Sequence, residues 1–497
     1  MTRQLTRFQT FLDRSGRFII SASIGLSIVS LSSCISISNP DSQRELAEEA
    51  RTTVTFPEDW KVEASDELLN SQWVETFGDV KLAEYVTEAL LKNTDVLSAY
   101  EFVEASRAGL AISRADRLPE IGLTVSGSRT EQADDPFAIG PNGVDSDFTS
   151  LSANLTASWE PDFWGRIRNQ IEIAEYDIEA SEADFAAIRL SIAALTAEAY
   201  FNVVQAKQLV ELSDDDVATQ NRSLTLTERR YESGVTGRSD LSLTLSQLSA
   251  AKALRVSRVQ QLAEIERQLE TLLRRYPNAQ IVTADTLPSL SVFGGAGDVE
   301  GIFFRRPDLQ AAEARLAAQG LQVDLARKAL LPSISIGSDA NAGAGGVGDL
   351  FNVDALVVNF LSNLTAPIFQ GGRLRANVKQ QKAALRQLLQ SYTGDVLQAF
   401  LEVENALAAE SLLAEQEEAL QDAMNEARDA ETRLERRYAE GLATILELLD
   451  AQSRRLSSQG QLIVAQRERL SNRVQLHVAL GSTPFANTNV TFNVTAP

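Results

Sequence analysis

The chain repeats itself at an offset of roughly two hundred residues, and this repeat constrains the fold more than any other feature of the sequence. Three short motifs occur in the same order in both halves. The matched segments are 117–123 with 330–336, 164–168 with 371–375, and 229–234 with 436–441. The first half has a longer piece between Thr130 and Thr149. Three anchors in one order at nearly one offset predict two copies of a single structural unit.

Each half contains two stretches in which apolar and polar residues alternate, as in a β-strand with one apolar face. Residues 151–160 and 358–366 show this alternation, with Leu361 and Ser362 as local exceptions, and the strands before them begin near Ile121 and Ile334. The sequence thus predicts four strands in two hairpins, at about 120–160 and 333–367. Strands of about ten residues can cross the outer-membrane hydrocarbon band when tilted. A soluble sandwich edge would alternate in the same way, so that alternative stays open.

The segments that follow the hairpins predict unusually long helices. Residues 166–233 contain neither glycine nor proline, and a continuous helix of that length would reach about 100 Å. In the second half, apolar residues recur at steps of three and four, and this stripe requires a neighbouring helix. The stripe comprises Leu385, Leu388, Tyr392, Val396, Phe400, Val403 and Leu407. Glycine-containing turns then reverse the chain into second helices, expected at about Asp240–Tyr276 and Glu447–Leu480.

Four strands are too few to close a barrel by themselves. Open strand edges cannot lie in lipid, because each unpaired amide or carbonyl there costs several kcal/mol. The chain must therefore associate with copies of itself. Outer-membrane barrels normally have an even number of strands, at least about eight, so two copies or three would satisfy the hydrogen bonds.

The N-terminus has the pattern of a bacterial lipoprotein signal. Four arginines precede the uncharged run Phe18–Leu31, which at about 14 residues is too short to remain as a transmembrane anchor. The run ends in Leu31-Ser32-Ser33-Cys34, which resembles a lipobox, and Cys34 is the only cysteine of the chain. We expect residues 1–33 to be removed and Cys34 to take a covalent lipid, although an ordinary signal would end similarly. No aspartate follows Cys34, which by resemblance to other lipoproteins indicates the outer membrane.

Composition excludes several classes of function. The net charge of −22 does not supply the basic face that nucleic acid requires. The single histidine, His477, lies in a helical pattern, where a satisfied or solvated side chain is expected rather than a ligand or base. We therefore expect no metal and no cofactor beyond the lipid. A periplasmic hydrolase would need a histidine-centred site or a nucleophile turn, and neither pattern is found in the sequence.

Several motifs together resemble the TolC-type outer-membrane efflux proteins, specifically the lipoprotein branch that serves resistance-nodulation-division pumps. The most specific stretch is 305–309 (RRPDL) followed by 311–316 (AAEARL); supporting segments are 159–166, 367–373, and Trp73 with Phe77. The resemblance covers nearly the whole mature chain. It identifies a mainly α protein with membrane β-strands, in which long helical hairpins form a periplasmic α-barrel.

The resemblance further implies a homotrimer whose subunits each contribute four strands to a shared twelve-stranded barrel. It implies a periplasmic adaptor (membrane fusion) protein and an inner-membrane resistance-nodulation-division pump as partners. On this scheme residues 34–69 form a lipid-anchored extended segment, residues 70–276 and 277–481 are the two repeats, and residues 482–497 are a C-terminal tail.

The same resemblance assigns roles at the two hairpin tips. Gly234 and Gly441 fall at the turns that in similar proteins dock the adaptor, and glycine is suited to them because it adopts positive φ after a helix. A purely capping role would also explain these glycines. Asp240 and Tyr438 match positions that in relatives hold the closed state by hydrogen bonds between neighbouring hairpins. Ala443 stands where some relatives carry a gate arginine, which implies a thinner closed-state network here.

Two further carboxylates suggest a selectivity ring. Glu447 and Asp450 are three residues apart, hence on one helix face, and in a threefold assembly they would form two carboxylate rings favouring cations. Solvated surface charge is the rival interpretation in so acidic a chain.

The function indicated is an exit duct for efflux. The alternatives are the exit channel of a type I protein secretion system and a structural coiled-coil lipoprotein. The sequence does not indicate the exported substrate.

Overall fold

A computed structural model describes residues 59–61, 72–130, 148–290, 295–344 and 356–485. Cys34, the predicted signal 1–33, most of 34–69 and most of the tail 482–497 lie outside these ranges. The described ranges all belong to one compact unit, residues 42–497. The helices are α1 Trp73–Thr76, α2 Val80–Lys92, α3 Thr94–Ala115, α4 Arg166–Glu232, α5 Arg238–Leu272, α6 Ile302–Arg305, α7 Pro307–Lys328, α8 Arg373–Ala439 and α9 Ile445–Ala479. The strands are β1 Glu120–Thr130, β2 Phe148–Trp159, β3 Ser333–Ala344 and β4 Leu356–Thr365.

The four strands form one antiparallel sheet in the order β1-β2-β3-β4. Within it Leu123 pairs with Leu155, Leu155 with Ala340, and Ala340 with Val358. The prediction of four strands in two hairpins is confirmed. The sheet is open, since β1 and β4 each have a neighbour on one side only.

The register gives the sheet one apolar and one polar face, because side chains directly opposite one another project to the same side. The apolar face carries Ile121, Leu123, Val125, Leu151, Ala153, Leu155, Ala157, Trp159, Ile334, Ile336, Ala340, Ala342, Val358, Phe360 and Leu364. The polar face carries Thr124, Ser126, Ser152, Asn154, Thr156, Ser335, Asp339, Asn341, Asn359, Asn363 and Thr365. On the apolar face Phe360 is 86% exposed in the single chain. Most of the large apolar side chains on this face are likewise exposed in the single chain.

The two halves contain helices of equal length. Both α4 and α8 have 67 residues, about 100 Å at 1.5 Å per residue, and they begin 207 positions apart, at Arg166 and Arg373. Both α5 and α9 have 35 residues. Both α3 and α7 have 22 residues, and they begin 213 positions apart, at Thr94 and Pro307. The two offsets differ by six because the link 131–147 is six residues longer than the link 345–355.

The helices pack side by side in a layer, in which α4 and α8 are the longest members. Close to the sheet the order of packed neighbours is α3, α4, α7, α8, and towards the far end it is α5, α4, α9, α8. This layer is open in the same sense as the sheet: α3 and α5 lie at the edge that belongs to the first half, and α8 lies at the other.

Two apolar clusters hold the layer together at its middle. One surrounds Trp73 and Phe201, and the other contains Phe303 and Tyr392. The predicted stripe on α8 lies in the second cluster, where four of its members are buried and the others pack against them. The prediction that the stripe serves helix packing is confirmed. Trp73, which supported the family resemblance together with Phe77, is buried. Its ring packs edge-on against the Phe77 ring, with the centroids 6.2 Å apart.

The end of α5 differs from the prediction. The helix stops at Leu272 rather than at Tyr276, and Arg274 adopts φ 55°. Arg274 and Arg275 donate their amides to Thr271 and Glu270, which closes the helix with a left-handed turn. The equivalent position in the second half is Gly481, with φ 68°. The sequence did not reveal this turn because arginine is an uncommon residue in the left-handed region.

Among the described helices, α4 alone contains an 18-residue segment apolar enough by composition to cross a bilayer. More than half of that segment is buried within the chain. A helix buried in this way is accounted for by packing in the protein interior.

Candidate functional site at the hairpin tips

The two hairpin tips are built by the same local turn. Gly234 follows α4 with φ 72°, and Gly441 follows α8 with φ 80°. The amide of Gly234 donates to Tyr231 and that of Val235 to Arg230; Gly441 and Leu442 repeat both bonds with Tyr438 and Arg437. This is the Schellman arrangement, in which a left-handed residue satisfies the last carbonyls of a helix. Within one chain the glycines are therefore required by their backbone conformation.

The residues after the two glycines are exposed and apolar. Val235 is 63% exposed and Leu442 is 64% exposed. A Cβ added at Gly234 would meet no atom within 4 Å, and one added at Gly441 would meet only the Arg230 guanidinium at 3.7 Å. Each tip therefore presents open backbone beside an apolar side chain, and the docking role predicted for Gly234 and Gly441 remains a prediction.

Tyr438 joins the two hairpins of the chain. Its ring is buried, its hydroxyl lies 3.0 Å from the Thr227 hydroxyl, and its carbonyl accepts a hydrogen bond from the Arg230 guanidinium at 2.6 Å. That guanidinium also lies over the ring, 4.7 Å from the centroid. Thr227 and Arg230 belong to α4, whereas Tyr438 belongs to α8. Tyr438 thus bonds to the other hairpin of its own chain, through partners that the sequence does not suggest. The role predicted for Tyr438 in holding a closed state remains a prediction.

The equivalent tyrosine in the first half has a different environment. Tyr231 is partly exposed, and Arg437, the counterpart of Arg230, donates to the Leu442 carbonyl of its own turn at 3.1 Å. The contacts of Tyr438 with Thr227 and Arg230, called the clamp below, therefore have no equivalent at Tyr231 among the described residues.

Asp240 bonds within its own turn. Its carboxylate accepts hydrogen bonds from the hydroxyls of Thr236 and, at 3.4 Å, Ser239. These contacts order the start of α5. The predicted bond from Asp240 to a neighbouring hairpin stays a prediction about contacts between chains.

Glu447 caps the helix on which it lies. Its carboxylate accepts from the Thr444 amide at 2.7 Å and hydroxyl at 2.9 Å, and its own amide donates back to that hydroxyl at 3.3 Å. The Thr444 amide, followed by its hydroxyl, holds the pKa of the Glu447 carboxyl below its usual value. This capping box was visible in the sequence as Thr444-Ile445-Leu446-Glu447. Glu447 is nevertheless exposed, so its charge faces solvent at the tip.

Asp450 lies one helical turn further on, and it is paired. Its carboxylate accepts from Arg454 at 2.8 Å, and both side chains are largely exposed. Such surface pairs contribute little to stability. Arg454 partly offsets the negative charge of Asp450, which the sequence predicts to belong to a carboxylate ring. Glu447 is therefore the less neutralised of the two predicted ring carboxylates.

Behind the tips, the hairpins are joined by an apolar cluster and an ion network. Tyr438, Ile445 and Leu448 form the buried cluster. Further from the tips, the buried Arg455 of α9 lies 2.5 Å from Glu431 of α8 and 3.0 Å from Asp215 of α4. The sequence does not reveal this network, because its members are separated by up to 240 positions and match no local motif.

The motif that most strongly carried the family resemblance forms a structural joint. Arg306 is buried and donates to Glu402 at 2.7 Å, to Asp308 at 2.7 Å and to the Ala479 carbonyl at 3.2 Å. Pro307 occupies the first turn of α7, where its missing amide is harmless. The joint therefore ties the start of α7 to α8 and to the end of α9.

In the described ranges no group of three or more histidine, cysteine, aspartate or glutamate side chains is placed to hold an ion. His477 is buried and stacks on Trp73 with ring centroids 5.7 Å apart. Burial, aided by the charge of Arg473, lowers its pKa to about 3. The side chain is therefore not solvated, and its Nδ1 has no hydrogen-bond partner among the described residues.

The family model for outer membrane efflux proteins matches residues 85–274 and 303–482, one match in each half. The chain therefore belongs to the outer membrane efflux protein family. It is 31% identical over 438 residues to the pyoverdine export outer membrane protein OpmQ of Pseudomonas aeruginosa, covering 86% of this chain and 90% of that protein. It is 28% identical over 423 residues to the cation efflux system protein CusC of Escherichia coli, covering 84% of this chain and 90% of CusC.

Solved structures show the same fold. The outer-membrane channel OprN superposes with a TM-score of 0.76 at 26% identity, covering 86% of this chain and 98% of OprN. The open state of the MtrE outer membrane channel of Neisseria gonorrhoeae superposes with a TM-score of 0.76 at 28% identity, covering 87% of this chain and 96% of MtrE. The protein is thus an outer-membrane efflux channel with a helical periplasmic extension, and it is not an enzyme.

Proposed function

We propose that the protein is the exit duct of a tripartite efflux pump and works as a homotrimer. The observation that carries this proposal is the four-stranded sheet, with its exposed apolar face and two open edges, joined to helices about 100 Å long. An apolar face of this kind is stable against lipid, whereas open edges in lipid are not. Three copies supply twelve strands and close the edges.

The polar sheet face fits a water-filled lumen. Ser126 and Ser152 bond to each other across β1 and β2 at 2.7 Å, and Asn359 donates to Asp339 across β4 and β3 at 2.8 Å. Alternation of lipid-facing apolar and lumen-facing polar residues is typical of outer-membrane barrels. The lumen is accordingly wet and permissive, and substrate choice falls to the partners.

The tips are the proposed docking surface for a periplasmic adaptor (membrane fusion) protein, which in turn engages an inner-membrane resistance-nodulation-division pump. Exposed Val235 and Leu442 beside Gly234 and Gly441 provide apolar anchors of the kind that interface centres favour. Glu447 and Asp450, with the Asp240 turn and the Tyr438 clamp behind them, form the proposed gate and selectivity region.

The tip proposal is tested by Val235→Asp with Leu442→Asp. In the source bacterium lacking its own copy of the gene, this variant should fail to restore efflux of a fluorescent dye, while the purified variant still conducts in planar bilayers. Val282→Asp is the control, because Val282 is 66% exposed and lies outside both tips. Full efflux by the tip variant would remove the tips from docking. Loss of protein export with unchanged dye efflux on gene deletion would instead support type I secretion.

A covalent lipid on Cys34 is the proposed anchor, supported by the sequence around that residue. Cys34→Ser should abolish incorporation of a labelled fatty acid and leave an unprocessed precursor or a form cut at another site. Equal labelling of the variant and the parent protein would refute the anchor. Membrane assembly should survive in part, because the barrel itself would hold the protein in the outer membrane.

A further inference from the structure

A cavity of about 560 Å³ lies between α4 and α8 at the level where α9 ends. Both α7 and α9 pack against these two long helices. Their ends are joined, because Arg306, which directly precedes α7, donates to the carbonyl of Ala479 at the end of α9. Short side chains line the cavity at this joint, namely Ser191, Ala194, Ala406, Ala409 and Ala479. These short side chains leave a gap between the two long helices.

The cavity lies on the face of the helical layer opposite to α1 and α2. Ser191, Leu195 and Glu198 of α4 line it, at helical spacings of three and four. Ala193 and Ala197 belong to the apolar cluster that α1 and α2 form with α4. Because residues two positions apart on a helix point about 200° away from each other, the cavity and the cluster are on opposite sides of α4.

Glu198 supplies the uncompensated charge of the cavity. Its carboxylate accepts one long hydrogen bond, from the Gln475 amide at 3.4 Å, and it has no ion-pair partner among the described residues. Burial raises the pKa of the Glu198 carboxyl, against the smaller effects of Gln475 and of the charge on Arg467. Glu402, across the cavity on α8, is already bonded to Arg306 at 2.7 Å. One half-buried negative charge is therefore left for a ligand to neutralise.

The rest of the lining is apolar or carries amide groups. Leu195 is 47% exposed, and Val478 provides a second apolar side chain. Asn405 and Gln475 add amide oxygens, and the last carbonyls of α9 form the negative end of its helix dipole. The described residues include no group of three or more metal-ligating side chains here or elsewhere. The lining thus suits an organic cation with an apolar body rather than a metal ion.

We propose that this cavity binds an amphipathic organic cation, one per chain. The positive charge lies against the Glu198 carboxylate, and the apolar body lies against Leu195 and Val478. The volume is within the range of about 300–1,000 Å³ that is usual for small-molecule sites.

The position of the site in the transport path rests on the assembled channel proposed above. There α1 follows the lipid-anchored N-terminal segment and lies outside the tube, so the opposite face of the layer, with the cavity, lines the lumen. Because Glu198 is only half-buried, its attraction for a cation is partly screened by water, and a bound cation can leave again. The site would hold a cation in transit without selecting it.

Tetraphenylphosphonium is a suitable probe, because it combines one positive charge with an apolar body. It should bind the purified protein in nonionic detergent with one site per chain, measured by isothermal titration calorimetry. Glu198→Gln should weaken this binding about tenfold, since glutamine removes the charge but can still accept the Gln475 bond. Ser191→Trp should abolish binding by filling the cavity. Tetraphenylborate, which has the same shape and the opposite charge, should not bind.

A cysteine in the cavity wall tests the location independently. Asn405 lines the cavity and is exposed, and the chain has no cysteine other than Cys34. Saturating tetraphenylphosphonium should slow alkylation of Asn405→Cys by N-ethylmaleimide several-fold, measured by mass spectrometry on the peptide that contains residue 405. Asn425→Cys is the matched control, since Asn425 is exposed on the same helix outside the cavity. Its alkylation should not change.

Glu179→Gln is the control for overall charge, because Glu179 is exposed on α4 and lies outside the cavity. It should bind the probe as the parent protein does. Equal affinity of the parent and Glu198→Gln, or equal loss in Glu198→Gln and Glu179→Gln, overturns the binding site. A native trimer that conducts in planar bilayers would then leave the channel proposal standing. The site belongs to a single chain, so a native monomer that binds the probe would support the site and overturn the channel.

Discussion

The guanidinium of Arg230 bonds to the carbonyl of Tyr438 at 2.6 Å and lies over its ring at 4.7 Å, so one side chain holds the two helical hairpins of the chain together at their tips. The tyrosine hydroxyl adds a contact to Thr227 at 3.0 Å. A movement that separates the tips must break all three contacts. This clamp is accordingly the part of the proposed gate whose strength can be measured directly.

Removing the clamp should loosen the gate. Arg230→Gln loses a charged hydrogen bond and a cation–π contact, together about 1–3 kcal/mol. We expect a larger single-channel conductance and more frequent opening in planar bilayers. Arg437→Gln is the matched control, since the hydrogen bond that the structure describes for Arg437 goes to the Leu442 carbonyl of its own turn. Equal conductance of the two variants would show that the clamp does not restrain the gate.

Neutralising the tip carboxylates should reduce cation preference. Glu447→Gln with Asp450→Asn removes two charges per chain while keeping the capping box, because glutamine can serve at that position. The loss of Asp450 also leaves Arg454 unpaired, which adds to the effect. The reversal potential under a salt gradient should move towards the anion side. Glu415→Gln with Glu418→Gln, exposed on α8 away from the tip, should change it much less. A similar shift in both variants would assign selectivity to overall charge.

The buried His477 should make the protein less stable in mild acid. Its pKa is about 3 in the folded chain and about 6.5 when unfolded, so the folded state binds fewer protons between these values. Stability present above pH 6.5 is then lost as the pH falls, by at most about 1.4 kcal/mol per pH unit. His477→Phe, which keeps a ring against Trp73, should remove this component. Parallel melting temperatures of variant and parent from pH 7.5 to 5 would exclude the effect.

The two left-handed turns that end α5 and α9 should respond oppositely to substitution. A Cβ at Gly481 would lie 2.6 Å from the Arg305 carbonyl, so Gly481→Ala should cost at least about 2 kcal/mol. Arg274, the counterpart, occupies a left-handed conformation that glycine adopts more easily, and Arg274→Gly should stabilise by about 0.5–1 kcal/mol. Thermal unfolding followed by circular dichroism would measure both. Destabilisation by Arg274→Gly would mean that the arginine side chain has a stabilising contact.

The sequence by itself determined the features that depend on local periodicity. The glycine-free stretch 166–233 predicted a helix that the structure shows as Arg166–Glu232, and alternation predicted β2 and β4 together with the exceptions at Leu361 and Ser362. Positive φ at Gly234 and Gly441 followed from their position after a helix. Such features can be predicted from the sequence because they depend on residues that are only a few positions apart. The capping box of Glu447 was equally local and could have been identified.

Only the tertiary structure decided which distant residues meet. Arg230 and Tyr438 are 208 positions apart and Arg306 and Ala479 are 173 apart, and no periodicity in either segment specifies the other. The same holds for His477. The helical pattern around it is compatible with an exposed side chain, and only the tertiary structure shows that its ring stacks on Trp73. The polar pairs that join hairpins depend on how α4, α8 and α9 pack side by side. That packing arises from the summed burial of many apolar side chains. The helix positions that result determine which polar side chains can meet.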